Sequence, residues 1–344
     1  MVLDALRTFL KPLLLPKIWP LLYGLSRLTQ KWHKLFPARP NDPPLDLVFV
    51  APMLENWSLD SRCKELLKRF DGQAILYREY KNIPIAKAYF FSEQTFLVLA
   101  LYHNPHLWDA TIFVWFTHPH NFLEIPTEQT LYALQQADQI FITCSQFRDW
   151  LIDCGLQPEK IEVIGPRADP DLFLPHKRGN GVIGFCSRYY LRKNPDYILA
   201  IIQNMAHRAF LLVGKDWEHF PRYDELVQLE NLTIVNTEYS DYPKLYSQMD
   251  VFVSTSVMEG GPVPLVESMM CNVVPVVSRV GFALDLLTHG ENGFLFDIDA
   301  TRDEICVLIE AAFGLQTDIR ATAKHLNWEE FADRLNSRWK QLCL

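Results

Sequence analysis

The chain reads as an α/β protein with room for two domains, and three observations carry that reading. Short apolar, β-branched runs alternate with stretches of helical periodicity from Leu45 to Leu342, the pattern of parallel sheets covered by helices on both faces. A chain of 344 residues, 49% hydrophobic and 22% charged, can bury two cores and is neither disordered nor fibrous. Polar residues gather behind strand ends, most densely between Asp250 and Asp297, and open α/β sheets bind ligands at those ends.

Taken in order, residues 1–44 form a basic helical extension and a proline-rich linker. Within residues 1–39 seven basic residues (Arg7, Lys11, Lys17, Arg27, Lys31, Lys34, Arg39) face Asp4 alone, so that stretch is +6 while the whole chain is −8. Leu21, Leu22, Leu25, Leu28, Trp32, Leu35 and Phe36 recur at helical spacing. Residues 1–36 therefore suit either an anionic membrane surface or packing on the protein body. Pro12, Pro16, Lys17 and Pro20 interrupt the apolar run too early for a membrane span, and a signal-peptide cleavage pattern is not found. The linker Pro37 to Pro44 carries four prolines. The acidic balance disfavours nucleic acid as a partner, and seven scattered cysteines without CxxC or CxxH clustering suit a reducing cytoplasm and offer no metal site. The expected location is cytoplasmic, with peripheral attachment at the inner face of a membrane as an option.

Leu45–Ala51 and Gln73–Tyr80 read as strands around a helix at Ser58–Phe70. Glu93–Tyr102 is apolar throughout and fits helix or strand. Thr111–Thr117 is a strand ending at His118, Glu128–Gln136 a helix, Gln139–Thr143 a strand, Gln146–Cys154 a helix and Ile161–Ile164 a strand. Beyond a segment at Val163–Pro175, Gly181–Cys186 is a strand followed by Ser187–Pro195, then a helix to about Met205; Phe210–Gly214 and Leu232–Asn236 are strands, and Tyr242–Met249 a short helix. Thr301–Phe313 and Asn327–Leu342 are helices, the last with Trp328, Phe331, Leu335, Trp339 and Leu342 on one apolar stripe.

The densest motif is DVFVSTSVMEGGPVPLVESMMCNVVPVV from Asp250: a buried strand, a glycine-containing loop, a helix opened near Pro264, and a second strand. If Pro264 is in the first turn, Glu267 lies about one turn in and leans back toward the loop. Glu259 and Glu267 are then expected to face one small volume lined by backbone N–H groups, suited to sugar hydroxyls and phosphate. Arg188 and Lys193, five apart, straddle the strand-to-helix loop at Ser187–Pro195.

E-G-G-P-x-P-L-x-E, followed by P-V-V, Gly281 and N-G-F-L at Asn292–Leu295, resembles the donor-binding half of family 4 glycosyltransferases (glycosyl transferases group 1). The resemblance implies the GT-B fold, two Rossmann-like domains facing across a cleft. It divides the chain into an acceptor-side domain at 45–176, a nucleotide-sugar donor domain at 177–315 and, at 316–344, a helix crossing back to the first domain. Asp169, Phe173 and Pro175 match the interdomain D-x-x-x-F-x-P, with Pro166 and Arg167 where asparagine and glycine are usual. The activity implied is a retaining, metal-independent transfer, a hexosyl group being the expected cargo, from a UDP-, GDP- or ADP-sugar to a glycan, lipid-linked or other hydroxyl acceptor. By resemblance, Glu259 and His118 meet the sugar, Arg188 and Lys193 hold the diphosphate, Gly260, Gly261, Pro262 and Leu265 frame the donor, and Glu267 takes the ribose hydroxyls. His118 fits a structural strand-end histidine as well, and with His120 a metal pair. Two departures stand out: Glu55, Asn56, Trp57, Ser58 and Leu59 replace the usual glycine pair, and Asn194 replaces the glycine after the lysine.

The chemistry needs the cations, because cleaving a sugar–phosphate bond leaves charge on the departing diphosphate and arginine and lysine can neutralise it in a dry site. A site without an Asp-x-Asp metal motif is the expectation. The alternative from another class is a catalytically silent GT-B scaffold or partner subunit that binds a nucleotide sugar without turnover; an epimerase of the same fold would need further acids and histidines.

Overall fold

A computed structural model of the chain describes residues 45–51, 58–119, 125 and 127–344. The basic helix expected within residues 1–44 and the Glu55, Asn56, Trp57 loop lie outside the described residues. The chain divides into two units: one holds the described residues up to Ile142, Phe147–Ile164 and Phe331–Leu344, the other Thr143–Gln146 and Gly165–Glu330.

The first unit begins with β1 (Leu45–Val50), α1 (Ser58–Leu67), β2 (Ala74–Tyr77), β3 (Ala86–Phe91), α2 (Gln94–His103) and β4 (Thr111–Phe116). It continues through α3 (Thr127–Gln135), β5 (Gln139–Ile142), α4 (Ser145–Asp153, whose first two residues are assigned to the other unit) and β6 (Ile161–Val163). The six strands are parallel in the order β2-β1-β3-β4-β5-β6. β3 is an element the sequence reading did not separate, since AKAYFF runs straight into the apolar stretch that follows. What divides them is Glu93, whose side chain caps α2 by accepting from Thr95 N at 2.9 Å and so makes Glu93–Tyr102 a helix. That helix is apolar on nearly all sides and buried, which explains why periodicity could not assign it.

The second unit runs β7 (Val182–Cys186), α5 (Pro195–Asn204), β8 (Ala209–Val213), α6 (Tyr223–Val227), β9 (Leu232–Val235), α7 (Tyr242–Tyr246) and β10 (Val251–Ser254). Then come α8 (Val263–Met270), β11 (Val274–Ser278), α9 (Ala283–Leu286), β12 (Phe294–Phe296), α10 (Arg302–Phe313), α11 (Ile319–Ala323) and α12 (Trp328–Cys343). Its strands are parallel in the order β12-β11-β10-β7-β8-β9. The buried Asp250 sets the start of β10 against β7 by accepting from Gly179 N at 2.8 Å and Gly181 N at 2.5 Å.

From Phe331 on, α12 belongs to the first unit, where Phe331 meets Trp115 at 4.9 Å and Phe141 at 5.2 Å between ring centroids. Trp328, Phe331, Leu335 and Trp339 are buried as their spacing predicts, but Leu342 is 42% exposed because the stripe turns away from the core at the last turn. Among the described residues no helix is long and apolar enough to cross a membrane, and the seven cysteines are free thiols.

Candidate functional site

Strand order locates the site before any side chain does. In the second sheet the direction of winding reverses between β7 and β10, and a sheet of this kind opens a crevice between the C-terminal ends of the two strands at such a switch point. The loops that leave β7 and β10 there are Ser187–Asn194 and Thr255–Pro262.

The loop after β7 is pinned by its backbone. Tyr189 N donates to Lys215 O at 2.9 Å, and the buried Trp217 donates its indole N–H to Ser187 O at 2.9 Å. A single 3₁₀ turn, Leu191–Lys193, ends at Asn194, which has φ 55° and ψ 58°. That left-handed conformation explains the departure noted above, since asparagine is among the few residues besides glycine that adopt it readily.

The loop after β10 is tied to the first one. Thr255 Oγ1 donates to Lys193 O at 2.8 Å, and Val257 N to Arg192 O at 2.8 Å. Ser278 Oγ donates to Ser256 O at 2.5 Å, and Phe282 N to Gly260 O at 2.9 Å. Gly281, at φ +56°, lies so close beneath this loop that a Cβ there would overlap the carbonyl oxygens of Glu259 and Gly260. Gly261 is similarly enclosed, a Cβ coming to 3.0 Å from Pro166 Cδ and 3.2 Å from Thr143 Cβ.

At the centre is Glu259, 7% exposed. Its Oε1 takes an ion pair from Lys193 Nζ and a second from Arg192 Nη1 at 2.8 Å. Burial alone would raise its pKa, but the Lys193 and Arg192 charges and hydrogen bonds from Lys193 and Ser256 outweigh it and hold the carboxyl below its ordinary value. The group is a carboxylate at neutral pH. Arg192, which the sequence reading passed over, also donates to Met258 O at 3.2 Å.

The other expected residues are distributed differently. Arg188 does not join Lys193 on Glu259; it pairs with Asp216, and its side chain is 50% exposed. Glu267 is buried and placed by α8, with Pro264 in the first turn, yet its carboxylate does not share a partner with Glu259. It accepts from Tyr239 Oη at 2.5 Å and Tyr246 Oη at 3.0 Å. Burial raises the Tyr246 hydroxyl well above its usual range, so it donates as a neutral phenol, and pushes the neighbouring Tyr242 hydroxyl up to about 12. Leu265 is fully buried with its amide on Pro262 O at 3.1 Å, which supports α8. In the first unit His118 follows β4, and its carbonyl accepts from Gln94 Nε2 at 2.9 Å; His120 lies outside the described residues.

The expectation of no Asp-x-Asp motif is corrected by the sequence itself, which has two, Asp169-Pro170-Asp171 and Asp297-Ile298-Asp299. Neither is at the β7/β10 loops: Asp169 Oδ1 accepts from Asp171 N at 2.9 Å and Leu172 N at 3.3 Å to close a turn, and Asp297 pairs with Arg279 at 3.1 Å. Phe173, of the same segment, is buried between Tyr239 and Tyr246, and the tight turn before it is made by Gly165 at φ +71°. Among the described residues, Asp216, Glu218 and His219 are spaced closely enough to hold a cation, with Asp216 already engaged by Arg188.

Residues 180–311 match the family model described as glycosyl transferases group 1. The fold matches solved GT-B glycosyltransferases. Anabaena HepE in complex with UDP superposes with a TM-score of 0.70 at 14% identity, over 86% of this chain and 100% of that one. The lipopolysaccharide outer core galactosyltransferase WaaB gives 0.64 at 14% identity over 86% and 100% of the two chains. Sucrose-phosphate synthase from Thermosynechococcus elongatus gives 0.63 at 18% over 75% and 74%. Among curated proteins no sequence matches.

Proposed function

We propose that this chain, a GT-B glycosyltransferase whose second unit carries the group 1 family pattern, belongs to family 4 and moves a sugar from a nucleoside-diphosphate donor to a hydroxyl acceptor with retention of configuration. The observation that carries the reading is the meeting of Lys193, Arg192 and Glu259 at the switch point of the second sheet. HepE has been crystallised with UDP, with UDP and glucose, and with UDP-glucose, so UDP-glucose is the first donor to try.

In the reaction the bond from C1 of the sugar to the diphosphate oxygen breaks, its electron pair leaves on the diphosphate, and a bond forms from C1 to the acceptor oxygen, whose proton is released. Lys193 and Arg188 hold the departing diphosphate and need no metal to do so. Glu259 accepts from sugar hydroxyls, while Gly260, Gly261 and Pro262 form the wall beside sugar and phosphate. Glu267 receives the ribose hydroxyls once Tyr239 yields its place. The first unit, which carries His118, is assigned the glycan, lipid-linked or other hydroxyl acceptor. No protein nucleophile is assigned.

Two measurements test this. A bound donor raises stability by about 2.7 kcal/mol at a hundredfold excess over Kd, so UDP-, GDP- and ADP-sugars are screened by thermal shift against the parent chain and Lys193→Ala. Glu259→Ala is expected to keep nucleotide binding and lose transfer; turnover at the parent rate would sink the assignment. Residues 1–36 suit an anionic membrane surface on the cytoplasmic side or packing on the protein body, and flotation on anionic vesicles with and without Met1–Arg39 decides between the two.

A further inference from the structure

The pairing at Glu259 is unusual in one respect: both cations address the same oxygen, Oε1. Their settings differ. The Lys193 side chain is 13% exposed, and Arg192 is 33% exposed and lies at the edge of the site. Both main chains are pinned, Arg192 O by Val257 N and Lys193 O by Thr255 Oγ1, each at 2.8 Å, but the Arg192 side chain has two further holds, the carbonyl of Met258 at 3.2 Å and the ring of Tyr190 at 5.4 Å from its centroid. Both of these holds are made by the protein itself. Lys193, a flexible ammonium with three donors, is held at its side chain, among the described residues, by Glu259, and is the cation that a diphosphate would draw.

If Lys193 turns to an incoming diphosphate, Glu259 loses one of its two counter-charges while enclosed. A buried carboxylate without a partner takes up a proton, and a protonated acid is a poorer acceptor for sugar hydroxyls. We propose that Arg192 is a positioning residue that keeps Glu259 charged and aimed while Lys193 serves the donor diphosphate. This rests on the reading of the switch point as a nucleotide-sugar site. It assigns separate duties to adjacent cations, one mobile and one fixed. Among the described residues the charged groups facing Glu259 are Lys193 and Arg192, both from the loop after β7; Ser256, on its own loop, adds a neutral hydrogen bond.

The test follows the Glu259 carboxyl directly by carbon NMR of glutamate-labelled protein, the resonance being assigned with Glu259→Gln. Full-length chain, Arg192→Met and Arg192→Lys are titrated alone and with UDP or inorganic pyrophosphate, which needs no choice of base. In the parent chain Glu259 stays ionised at neutral pH with either anion bound. In Arg192→Met its titration moves up by about one pH unit or more when the anion is bound, and Arg192→Lys recovers most of the difference. Where transfer is measurable, the acid limb of kcat/KM for the sugar donor moves up with it, while UDP affinity stays within about threefold.

Identical Glu259 titrations in the parent chain and Arg192→Met with anion bound overturn the proposal. So does a Glu259 resonance that neither anion perturbs, since Lys193 then has nothing to turn to. If the parent chain turns over none of the UDP-, GDP- or ADP-sugars, the transfer reading fails, yet the titration still decides the role of Arg192.

Discussion

The two sheets solve one topological problem with opposite electrostatics. Each has a switch point, between β1 and β3 in the first and between β7 and β10 in the second, and each puts a buried glutamate just beyond it. At the second, Glu259 has two cations and stays charged. At the first, Glu93 has only backbone donors, and burial outweighs the hydrogen bonds from Thr95 and Phe96 to push its pKa up to about 7. Position in the fold thus selects where an acid stands; the residues on the neighbouring loop decide its protonation. One half keeps its carboxylate charged and the other brings a carboxyl close to its titration point at neutral pH.

Substitutions can break this contrast in order of size. Lys193→Ala is expected to lower kcat/KM about a hundred- to a thousandfold, the scale of removing one preorganised donor from a developing anion, and steady-state kinetics with the best donor measures it. A tenfold loss or less would remove Lys193 from the charge-stabilising role.

Glu93 gives the next effect, on stability. Its folded pKa of about 7 lies above the ordinary 4.5, so between those values the folded state holds the extra proton. Stability from this group is therefore full below about pH 4.5, declines as pH rises, and is gone above about pH 7, a span of about 3 kcal/mol. Glu93→Gln keeps a capping oxygen without the charge. Urea unfolding of that variant should be flatter across this window and gain at about pH 8; parallel curves for both proteins would show that Glu93 is ionised throughout.

Gly281→Ala should cost about 1–3 kcal/mol from backbone conformation alone, before overlap with the Glu259 and Gly260 carbonyls is counted, and should lower the thermal midpoint. The smallest effect belongs to Tyr239→Phe, which removes one hydrogen bond to Glu267 worth about 1 kcal/mol. If Tyr239 occupies the place of the ribose, this variant should bind UDP more tightly. Weaker binding would mean the hydroxyl assists the nucleotide.

Much of this was legible in the sequence, for reasons specific to each element. Buried parallel strands announce themselves as β-branched runs, so VFVS, VPVV and FLLV were found. Glu259, Gly281 and Lys193 stood out because the motif that carries the family resemblance includes them, and at Gly281 the positive φ gives the physical reason for the residue. Arg192 was not, because an arginine beside a lysine reads as a solvated loop until a carboxylate 67 positions away is known to face it. Tyr239 was missed for a similar reason: its hydroxyl meets Glu267 across 28 residues, and no local pattern encodes that. β3 was hidden by composition, since its aromatic run leads straight into the apolar helix that Glu93 caps.

The close seat of Gly281 has one more consequence. Because Phe282 N donates to Gly260 O, the Glu259 loop cannot lift off the glycine turn without breaking that hydrogen bond. The Phe282 amide thereby becomes a built-in clock for that loop: its hydrogen-exchange rate reads how often the loop lifts, and a ligand that seats against Gly260 should slow it without touching Phe282.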